Sequence, residues 1–479
     1  MSLFNNARWV AISQVVKIFV QLINIVYLAR LIPPSEYGIM AMALVIINFG
    51  MLIRDLGTAA AIIQRKDIDN TIINSIFWLN LYMGLGIAIC IVLFSPLISY
   101  FFREPKLIMV LICIAIIFPL SSSSSAHLAL LERDSKFKKI ASIEITSSVI
   151  GVFIALFLAY KSFGVYSLVW QTIIFNALST IQFWKASKWR PTFNKMFDFS
   201  GLKEIFGFSA HLSIFNLINY FSRNADSFII GRYMASSVLG AYSLAYRIML
   251  FPIASLTFVA TRALFPILSK NQDDHETLKK TYLNCVFSIL FIVVPLMSGL
   301  AFLSKPFVIL VFGKEWLLTS SILLWLAPTA IIQSVLSTSG TVFMAKGRTD
   351  ILMKLGILGM LLYMSAFIIG VQYNIITFAK FYFLANIINF FPAMYLLMKI
   401  INGNLFELFK KALPIFCMGL IMIAVMFIVR KPINSLFDEI SFSYLLTMTS
   451  IGAITYFILA IVLLKPVRSF IVNRVPFIG

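Results

Sequence analysis

The chain has 479 residues, of which 60% are apolar and 12% are charged. A water-soluble fold of this composition would expose far more apolar surface than soluble proteins carry, so the composition indicates a membrane protein. The formal charge of +20 does not point to nucleic acid, because no basic run is long and the cations stand between apolar segments. The four cysteines, at 90, 113, 285 and 417, lack the spacing of a metal site or disulfide framework, and we interpret them as small core residues.

About fourteen apolar segments long enough to cross a bilayer follow one another along the chain. Backbone amides inside hydrocarbon must be paired within their own segment, so the segments are predicted to be helices and the fold to be all-α. The first segment lacks a signal-peptide cleavage site and is expected to remain in the protein. The predicted spans are about 9–30, 37–57, 73–100, 107–131, 139–160, 163–184, 206–231, 238–262, 281–303, 317–345, 351–372, 376–399, 411–429 and 443–464.

Successive spans cross the membrane in opposite directions, so the connecting segments fall alternately on its two sides. Lysine and arginine residues are divided unequally between these two sides. About 26 fall on the side that holds the N-terminus and about 9 on the other. Cytoplasmic loops carry the excess of positive charge, so both termini are predicted to be cytoplasmic. A missed or invented span would scramble the alternation, and the asymmetry therefore supports an even number of spans.

Two stretches of the chain share a pattern at an offset of 202 positions, one after span 1 and one after span 7. Both spans start in the cytoplasm, so the repeats are predicted to be parallel about an axis along the membrane normal. Each stretch contains an arginine followed by a glycine eight positions later. The matched residues are Arg30 with Arg232 and Gly38 with Gly240.

A stripe of polar side chains runs along span 1 and recurs along span 7 at the same offset. The residues recur at i, i+3, i+7 and i+10, which places each set on one helical face. Unpaired polar groups are costly in hydrocarbon, so these faces must border protein or water. The alternative is that each stripe only joins its helix to a neighbour. The two sets are Gln14, Lys17, Gln21 and Asn24, and Asn216, Asn219, Arg223 and Asp226.

The stripes predict two six-helix bundles around a central polar cavity, with two further helices at the C-terminal end. Residues 1–200 would form an N-terminal lobe with spans 1–6, and residues 201–400 a C-terminal lobe with spans 7–12. Residues 401–479 would hold spans 13 and 14 and a cytoplasmic C-terminus.

Short motifs over about residues 8–400 are specific in combination, although none is sufficient alone. They include Arg30, Pro33-Pro34, Tyr37-Gly38, Arg54-Asp55-Leu56-Gly57, Gln64-Arg65-Lys66-Asp67, Phe77-Trp78-Leu79-Asn80, Asn219 to Asp226, Ile230-Gly231-Arg232, Tyr242 to Arg247, Leu264-Phe265-Pro266 and Gly313-Lys314-Glu315-Trp316. With these motifs the chain resembles the polysaccharide exporters of the multidrug/oligosaccharidyl-lipid/polysaccharide superfamily. The branch is that of the colanic acid and teichuronic acid exporters, relatives of the Wzx-type O-antigen flippases.

The resemblance implies a bacterial inner-membrane flippase whose two bundles alternate access to a central cavity. The implied cargo is an oligosaccharide on undecaprenyl pyrophosphate, destined for O-antigen, capsule or exopolysaccharide. A polysaccharide polymerase and a chain-length regulator are the implied protein partners. The resemblance implies transport without catalysis.

Four basic residues, Lys17, Arg223, Arg247 and Lys380, lie inside predicted spans. Each costs about 2.5–3.5 kcal/mol at a helix centre on insertion scales, so a compensating function is expected. Fixed cations around a water-filled cavity would lower the cost of moving a pyrophosphate across the bilayer. We predict that the first three line the cavity together with the amides Gln21, Asn24 and Asn219.

Structural roles are the alternatives for some of these cations. Arg223 and Asp226, three residues apart, could neutralise one another as a structural pair. Lys380 lies early in span 12 and can extend to the outer interface, which favours a structural role. Arg247 follows Tyr242 and Tyr246, and packing against those rings is its alternative.

Asp226 is the candidate for coupling transport to a proton or sodium gradient, since an intramembrane carboxylate beside a cation can exchange its proton. No other cofactor and no metal is predicted. His127 and Glu144 are also titratable and inside spans, and we interpret them as satisfied helix-end residues. Pro119 and Pro328 each precede a run of hydroxyl residues and predict bends, which either serve the motion or are static kinks.

Three other functions compete with polysaccharide export. A multipass glycan polymerase or ligase would need a catalytic constellation on a sizeable loop, and the longest connectors, about 185–205 and 263–280, lack paired carboxylates and metal-ligand spacing. A cationic-drug exporter would need a cavity that attracts cations, whereas the buried charge here is mainly positive. A lipid II-type flippase for a peptidoglycan precursor shares the architecture and remains the alternative.

Overall fold

The computed structural model describes residues 18–55, 62, 69–193, 220, 224–251, 268 and 274–464. Within these ranges every regular element is helical, as the sequence predicts. One turn, Lys314–Trp316, is a 3-10 helix. The α-helices are α1 (Ile18–Leu31), α2 (Pro34–Asp55), α3 (Asn70–Phe102), α4 (Leu107–Ile114), α5 (Ile117–Arg133), α6 (Phe137–Tyr160), α7 (Val165–Ala186), α8 (224–233), α9 (236–251), α10 (His275–Phe302), α11 (Ser304–Phe312), α12 (Leu317–Ala345), α13 (Thr349–Gly370), α14 (Ile375–Ile400), α15 (Leu405–Leu436) and α16 (Phe442–Leu463).

Length and apolarity qualify ten helical segments of the described chain as membrane spans. One of the ten combines α4 with α5, and another combines the 3-10 turn with α12. The bounds of α12 coincide with predicted span 10, and those of α16 differ from span 14 by one residue at each end. The chain is therefore a multi-pass α-helical membrane protein. Helix α7, which corresponds to predicted span 6, is not among the ten, and spans 1, 2, 7 and 8 lie only partly within the described residues. The total of fourteen therefore stays a prediction.

The predicted bend at Pro119 is a break between α4 and α5. Proline has no N–H, so it cannot donate to the carbonyl of Ala115 four residues earlier. That carbonyl instead accepts from the N–H of Phe118 at 3.1 Å. By contrast, Pro295 and Pro328 lie inside the continuous helices α10 and α12.

Several helices of the C-terminal part begin at a residue whose side chain caps the helix. The first backbone N–H groups of a helix have no partner within it, and a side-chain oxygen can accept from them. Asp274 accepts from the N–H of Thr277 at 3.0 Å at the start of α10. Helices α14, α15 and α16 begin in the same way at Asn374, Asn404 and Ser441. These caps fix where the spans start.

The chain divides into two compact units, residues up to Gly240 and residues from Ala241. In the first unit, α3 packs on α5, α5 on α7, and α6 on α7. In the second unit, α10 packs on α12, α12 on α14, and α13 on α14. Counted as predicted spans, these pairs are 3–4, 4–6 and 5–6, and then 9–10, 10–12 and 11–12. The same internal packing thus recurs six spans later, and α15 and α16 join the second unit through α10.

Candidate functional site

Some of the predicted cavity residues belong to the described chain and others do not. Lys17, Asn219 and Arg223 lie outside the described residues. Of the amides on span 1, Gln21 is exposed and Asn24 is half-buried. The side-chain oxygen of Asn24 is shielded from solvent and accepts no hydrogen bond within the described structure. The other described candidates are Asp226 and Arg247.

Asp226 lies in α8 and is only 4% exposed. Its Oδ1 accepts from the N–H of Ser227 at 2.6 Å. Tyr220, six positions before Asp226 in the chain, donates its hydroxyl hydrogen to the carbonyl of Val45 in α2 at 2.5 Å. The Asp226 carboxylate itself is buried.

Two of the four cations singled out in the sequence, Arg247 and Lys380, belong to the described residues, and both are exposed. The rings of Tyr242 and Tyr246, which precede Arg247, stack on each other with centroids 5.9 Å apart. Lys380 places Nζ 5.2 Å from the centroid of the Trp325 ring. This cation–π contact joins α14 to α12, and the structural role of Lys380 stays a prediction.

His127 is fully buried within α5, at 0% exposure. Neither ring nitrogen has a hydrogen-bond partner in the described structure, so the interpretation of a satisfied helix-end residue is wrong for this histidine. Its ring lies against Trp184, Trp189 and Phe77, at centroid distances of 4.6, 5.4 and 6.3 Å. Sequence reasoning missed this site because the rings come from α3, α7 and the segment that follows α7.

Two residues of α3 hold the segment that follows α7 in the chain. Trp78 donates its ring N–H to the carbonyl of Thr192 at 2.9 Å, and Asn74 accepts from the N–H of Thr192 at 2.8 Å. Phe193 lies beside Trp78, with ring centroids 5.0 Å apart. These contacts keep Trp189 against the buried histidine.

A network of neutral polar side chains joins α12, α13 and α14 in the second unit. Gln333 donates to the hydroxyl of Tyr382 at 2.6 Å and to Oδ1 of Asn386 at 3.2 Å. Tyr363 donates to the same Oδ1 at 3.1 Å and accepts from Asn389 at 3.1 Å. Asn386 is 0% exposed. Each member is inconspicuous in the sequence, and only the packing of three helices brings them together.

Arg54 is a buried cation that the sequence prediction placed with the cytoplasmic positive charge. It lies in the last turn of α2, is 7% exposed and donates to the hydroxyl of Ser121 in α5. Ser121 in turn donates to the carbonyl of Ile117 at 2.6 Å. The available signal was that Arg54 falls before the predicted end of span 2.

An apolar cavity of about 290 Å³ lies in the second unit among α10, α12, α14 and α15. Its wall is almost wholly hydrocarbon and ring surface. No cluster of three or more His, Cys, Asp or Glu with the arrangement of a metal site occurs in the described ranges. The cavity is lined in part by Val286, Pro328, Phe383, Phe390, Ala412 and Phe416.

The fold and these sites define a class: a multi-pass α-helical membrane protein with two similarly packed units and polar groups buried inside its helical bundles. The chain belongs to the family described as Polysaccharide biosynthesis protein, which it matches over residues 27–321. This confirms the resemblance to polysaccharide exporters that the motifs indicate.

Similar proteins cover most of the chain. The teichuronic acid biosynthesis protein TuaB of Bacillus subtilis (strain 168) is 27% identical over 417 residues, or 86% of each chain. The lipopolysaccharide biosynthesis protein WzxC of Escherichia coli (strain K12) is 29% identical over 405 residues, which cover 84% of this chain and 82% of that protein.

The fold is similar to those of solved transporters. The lipid II flippase MurJ in an inward closed conformation matches with a TM-score of 0.73 at 18% identity, over 96% of this chain and 99% of that chain. An inward-facing multidrug resistance transporter of the MATE family, in the MOP superfamily, matches with a TM-score of 0.57 at 15% identity, over 80% and 94%. At these identities the likeness shows the fold alone.

Proposed function

We propose that the chain is a flippase that moves an undecaprenyl-pyrophosphate-linked oligosaccharide repeat unit across the bacterial inner membrane by alternating access. The product would supply O-antigen, capsule or exopolysaccharide synthesis. The observation that carries the proposal is the family match over residues 27–321, since relatives named for surface-polysaccharide synthesis cover more than four-fifths of the chain. The fold shared with MurJ supports the flippase mechanism.

We infer fourteen spans in two six-helix bundles followed by two C-terminal helices, with both termini in the cytoplasm. The recurrence of the same three helix pairs in the two units supports the repeat. The asymmetry of lysine and arginine supports the orientation. A tag at either terminus should be digested by protease only after the inner membrane has been opened.

The proposed substrate contacts are Lys17, Arg223 and Arg247, with the amides Gln21, Asn24 and Asn219 beside them. Their positive charge would stabilise a pyrophosphate that has left water. The shielded and unbonded oxygen of Asn24 supports this arrangement, because a buried amide without a partner is costly unless a ligand or water satisfies it.

Asp226 is the proposed coupling residue. Its 4% exposure supports the proposal, because a carboxylate inside a membrane protein exchanges a proton or binds a cation only when a conformational change opens it. Reconstituted protein should flip faster when a proton or sodium gradient is imposed. Asp226→Asn should abolish this acceleration, and flipping that ignores both gradients would contradict the assignment.

Flipping of lipid II is the second candidate, favoured by the fold match to MurJ over 99% of that chain. The two functions differ in the headgroup attached to the same type of carrier. Proteoliposomes loaded with either lipid would separate them. Transport of lipid II at the rate of the oligosaccharide lipid would favour the second candidate.

The direct experiment is deletion of the gene followed by analysis of undecaprenyl-linked glycans. We expect the glycan to accumulate on the cytoplasmic side and surface polysaccharide to be lost. Alanine at Lys17, Arg223 or Arg247 should lower export by about tenfold or more, the equivalent of one lost charge contact. Lys161→Ala, at an exposed position after α6, is the matched control and should export normally. Normal export by all three variants would contradict the cationic cavity.

A further inference from the structure

The apolar cavity of the second unit has the size and the wall of a hydrocarbon-binding site. The fourteen residues that line it are all apolar, and its volume is about 290 Å³. An apolar cavity of about 150 Å³ stays dry and takes up benzene, so this one has room for roughly twice as many carbons. A buried water needs two to four polar partners, which this lining does not supply. The occupant that fits the cavity is therefore a length of hydrocarbon chain.

The cavity opens sideways between α14 and α15. Helix α15 packs mainly on α10 and α16, and much less on α14. Phe391 of α14, and Phe409 and Phe416 of α15, line the cavity and are nevertheless 40–49% exposed. A side chain that both lines a cavity and is exposed stands at its opening. Because α14 and α15 qualify as membrane spans, this opening faces the hydrocarbon of the bilayer.

The cavity lies near one end of α15. Leu408, the fourth residue of the helix, and Phe416 both line it. Eight residues of α-helix extend about 12 Å, which is less than half of a hydrocarbon core about 30 Å thick. This end of α15 is cytoplasmic in the proposed topology. The cavity therefore lies in the cytoplasmic leaflet, directly below the level of the lipid headgroups.

Positive charge is in excess at this end of α10, α14 and α15. The ends of the three helices carry five lysines and three carboxylates, an excess of two positive charges. Lys279 and Glu407 form an ion pair at 3.4 Å and offset one another. The excess favours an anionic headgroup at the surface above the cavity. The charged residues are Lys279, Lys280, Lys399, Lys410 and Lys411, and Asp274, Glu276 and Glu407.

Two of these lysines stand beside the cavity itself. Lys410 and Lys411 are exposed and lie in the chain between two lining residues, Phe409 and Ala412. Lys411 places Nζ 5.5 Å from the centroid of the Phe287 ring. A lysine can lay its apolar stem along hydrocarbon while its ammonium reaches the membrane surface. The two ammonium groups can therefore contact the phosphate of a lipid whose chain enters the cavity.

We propose that the cavity binds an anionic phospholipid of the cytoplasmic leaflet. One acyl chain lies between α14 and α15, and the phosphate contacts Lys410 and Lys411. Basic pockets between membrane helices on the cytoplasmic side are suited to such headgroups. The bound chain fills the space between the two helices and so stabilises the packing of α15 in the second unit. The site adds to the proposed function and depends on it only for the orientation of the chain.

The first test compares lipids on the unaltered protein. Delipidated protein in detergent receives phosphatidylglycerol or phosphatidylcholine with the same acyl chains, and mass spectrometry of the intact protein counts the bound lipid. We expect one phosphatidylglycerol per chain, about tenfold weaker binding of phosphatidylcholine, and a higher unfolding temperature with phosphatidylglycerol only. Equal binding of the two lipids, or equal stabilisation by inorganic phosphate, would overturn the proposal. Preferential binding of undecaprenyl phosphate would also overturn it, by assigning the cavity to the transported lipid.

A substitution inside the cavity locates the acyl chain. Ala412→Phe places a ring where the chain would lie, so the bound phosphatidylglycerol should be lost. Ala424→Phe is the matched control, because Ala424 is exposed on the same helix and does not line the cavity. This control should bind the lipid as the parent does. Binding by Ala412→Phe at the parent level would place the lipid elsewhere and refute the site.

A charge change tests the headgroup contact without altering the cavity. Lys410→Gln combined with Lys411→Gln should weaken binding of phosphatidylglycerol about 30-fold and leave phosphatidylcholine unaffected. Lys185→Gln combined with Lys188→Gln removes the same charge from exposed positions of the first unit and should have no effect. Equal weakening by both pairs would contradict the assigned contact, even if Ala412→Phe failed to fold. Lipid binding needs no transport, so its failure would leave the proposed flippase function standing.

Discussion

The two units share a packing pattern but bury different chemistry within it. In the first unit, the contact of α5 with α7 encloses His127 among aromatic rings and leaves its nitrogens unbonded in the described structure. In the second, the equivalent contact of α12 with α14 holds the neutral network around Asn386 and borders an apolar cavity. The packing of the helices is thus repeated in the two units, whereas the polarity of the buried side chains is not. The first interior surrounds one unbonded histidine with aromatic rings, whereas the second joins neutral polar side chains of three helices.

The largest expected effect tests the buried histidine of the first unit. His127→Asp would place a charge among three aromatic rings, and we expect a loss of about 3–5 kcal/mol in the free energy of unfolding. His127→Phe keeps the ring and removes two unbonded nitrogens, so it should be as stable as the parent or about 1 kcal/mol more stable. Thermal unfolding in detergent measures both. Equal destabilisation by Phe and Asp would show that the nitrogens have a required partner.

Two alanines compare the packing of the two units. Ala129, 1% exposed, belongs to the aromatic core of the first unit, whereas Ala412 lines the cavity of the second. Ala129→Leu should destabilise the protein by about 1–3 kcal/mol through overpacking. Ala412→Leu should change stability by less than about 0.5 kcal/mol, because the cavity has room for the added carbons. Thermal unfolding in detergent should show a large loss only for Ala129→Leu. Similar losses for both would contradict the difference in packing.

Asparagines on the corresponding helices α7 and α14 compare the two polar interiors. Asn176 and Asn386 each donate to the carbonyl four residues earlier at 2.8 Å. Asn386 also accepts from two other helices, so Asn386→Leu should cost about 1–2 kcal/mol, near the upper end for membrane hydrogen bonds. Asn176→Leu should cost no more than about 0.5 kcal/mol. Equal losses in thermal unfolding would mean that the network contributes nothing specific.

The helices were predictable from the sequence because long apolar runs leave the backbone no alternative in hydrocarbon. The break before Pro119 and the capped start of α10 at Asp274 follow from equally local chemistry. The contacts inside the two units were not predictable. The apolarity of a segment determines that a helix forms, but it does not determine which neighbouring helix each face contacts. Arg54, for example, is 7% exposed and donates to Ser121 in α5, a contact that the sequence does not indicate.

The internal repeat marks one tertiary contact in the sequence. The matched glycines at 38 and 240 mark the place where α2 and α9 cross, although the sequence pairs them only by offset. Polar stripes carry less information, because a side chain facing a cavity and one facing a helix follow the same spacing. Asn24 and Gln21 share a stripe, yet one is half-buried and the other exposed.

The smallest expected effect concerns Lys380, the in-span cation assigned a structural role. Its ammonium lies over Trp325 at 5.2 Å and is exposed, so Lys380→Met should cost only about 0.5 kcal/mol of stability. Export should be unchanged, in contrast to Arg247→Ala, although both residues are exposed cations inside predicted spans. Surface glycan and unfolding temperature, measured for both variants, provide the comparison. If Lys380→Met lost export at normal stability, the structural role would be contradicted and Lys380 would be assigned to the substrate path.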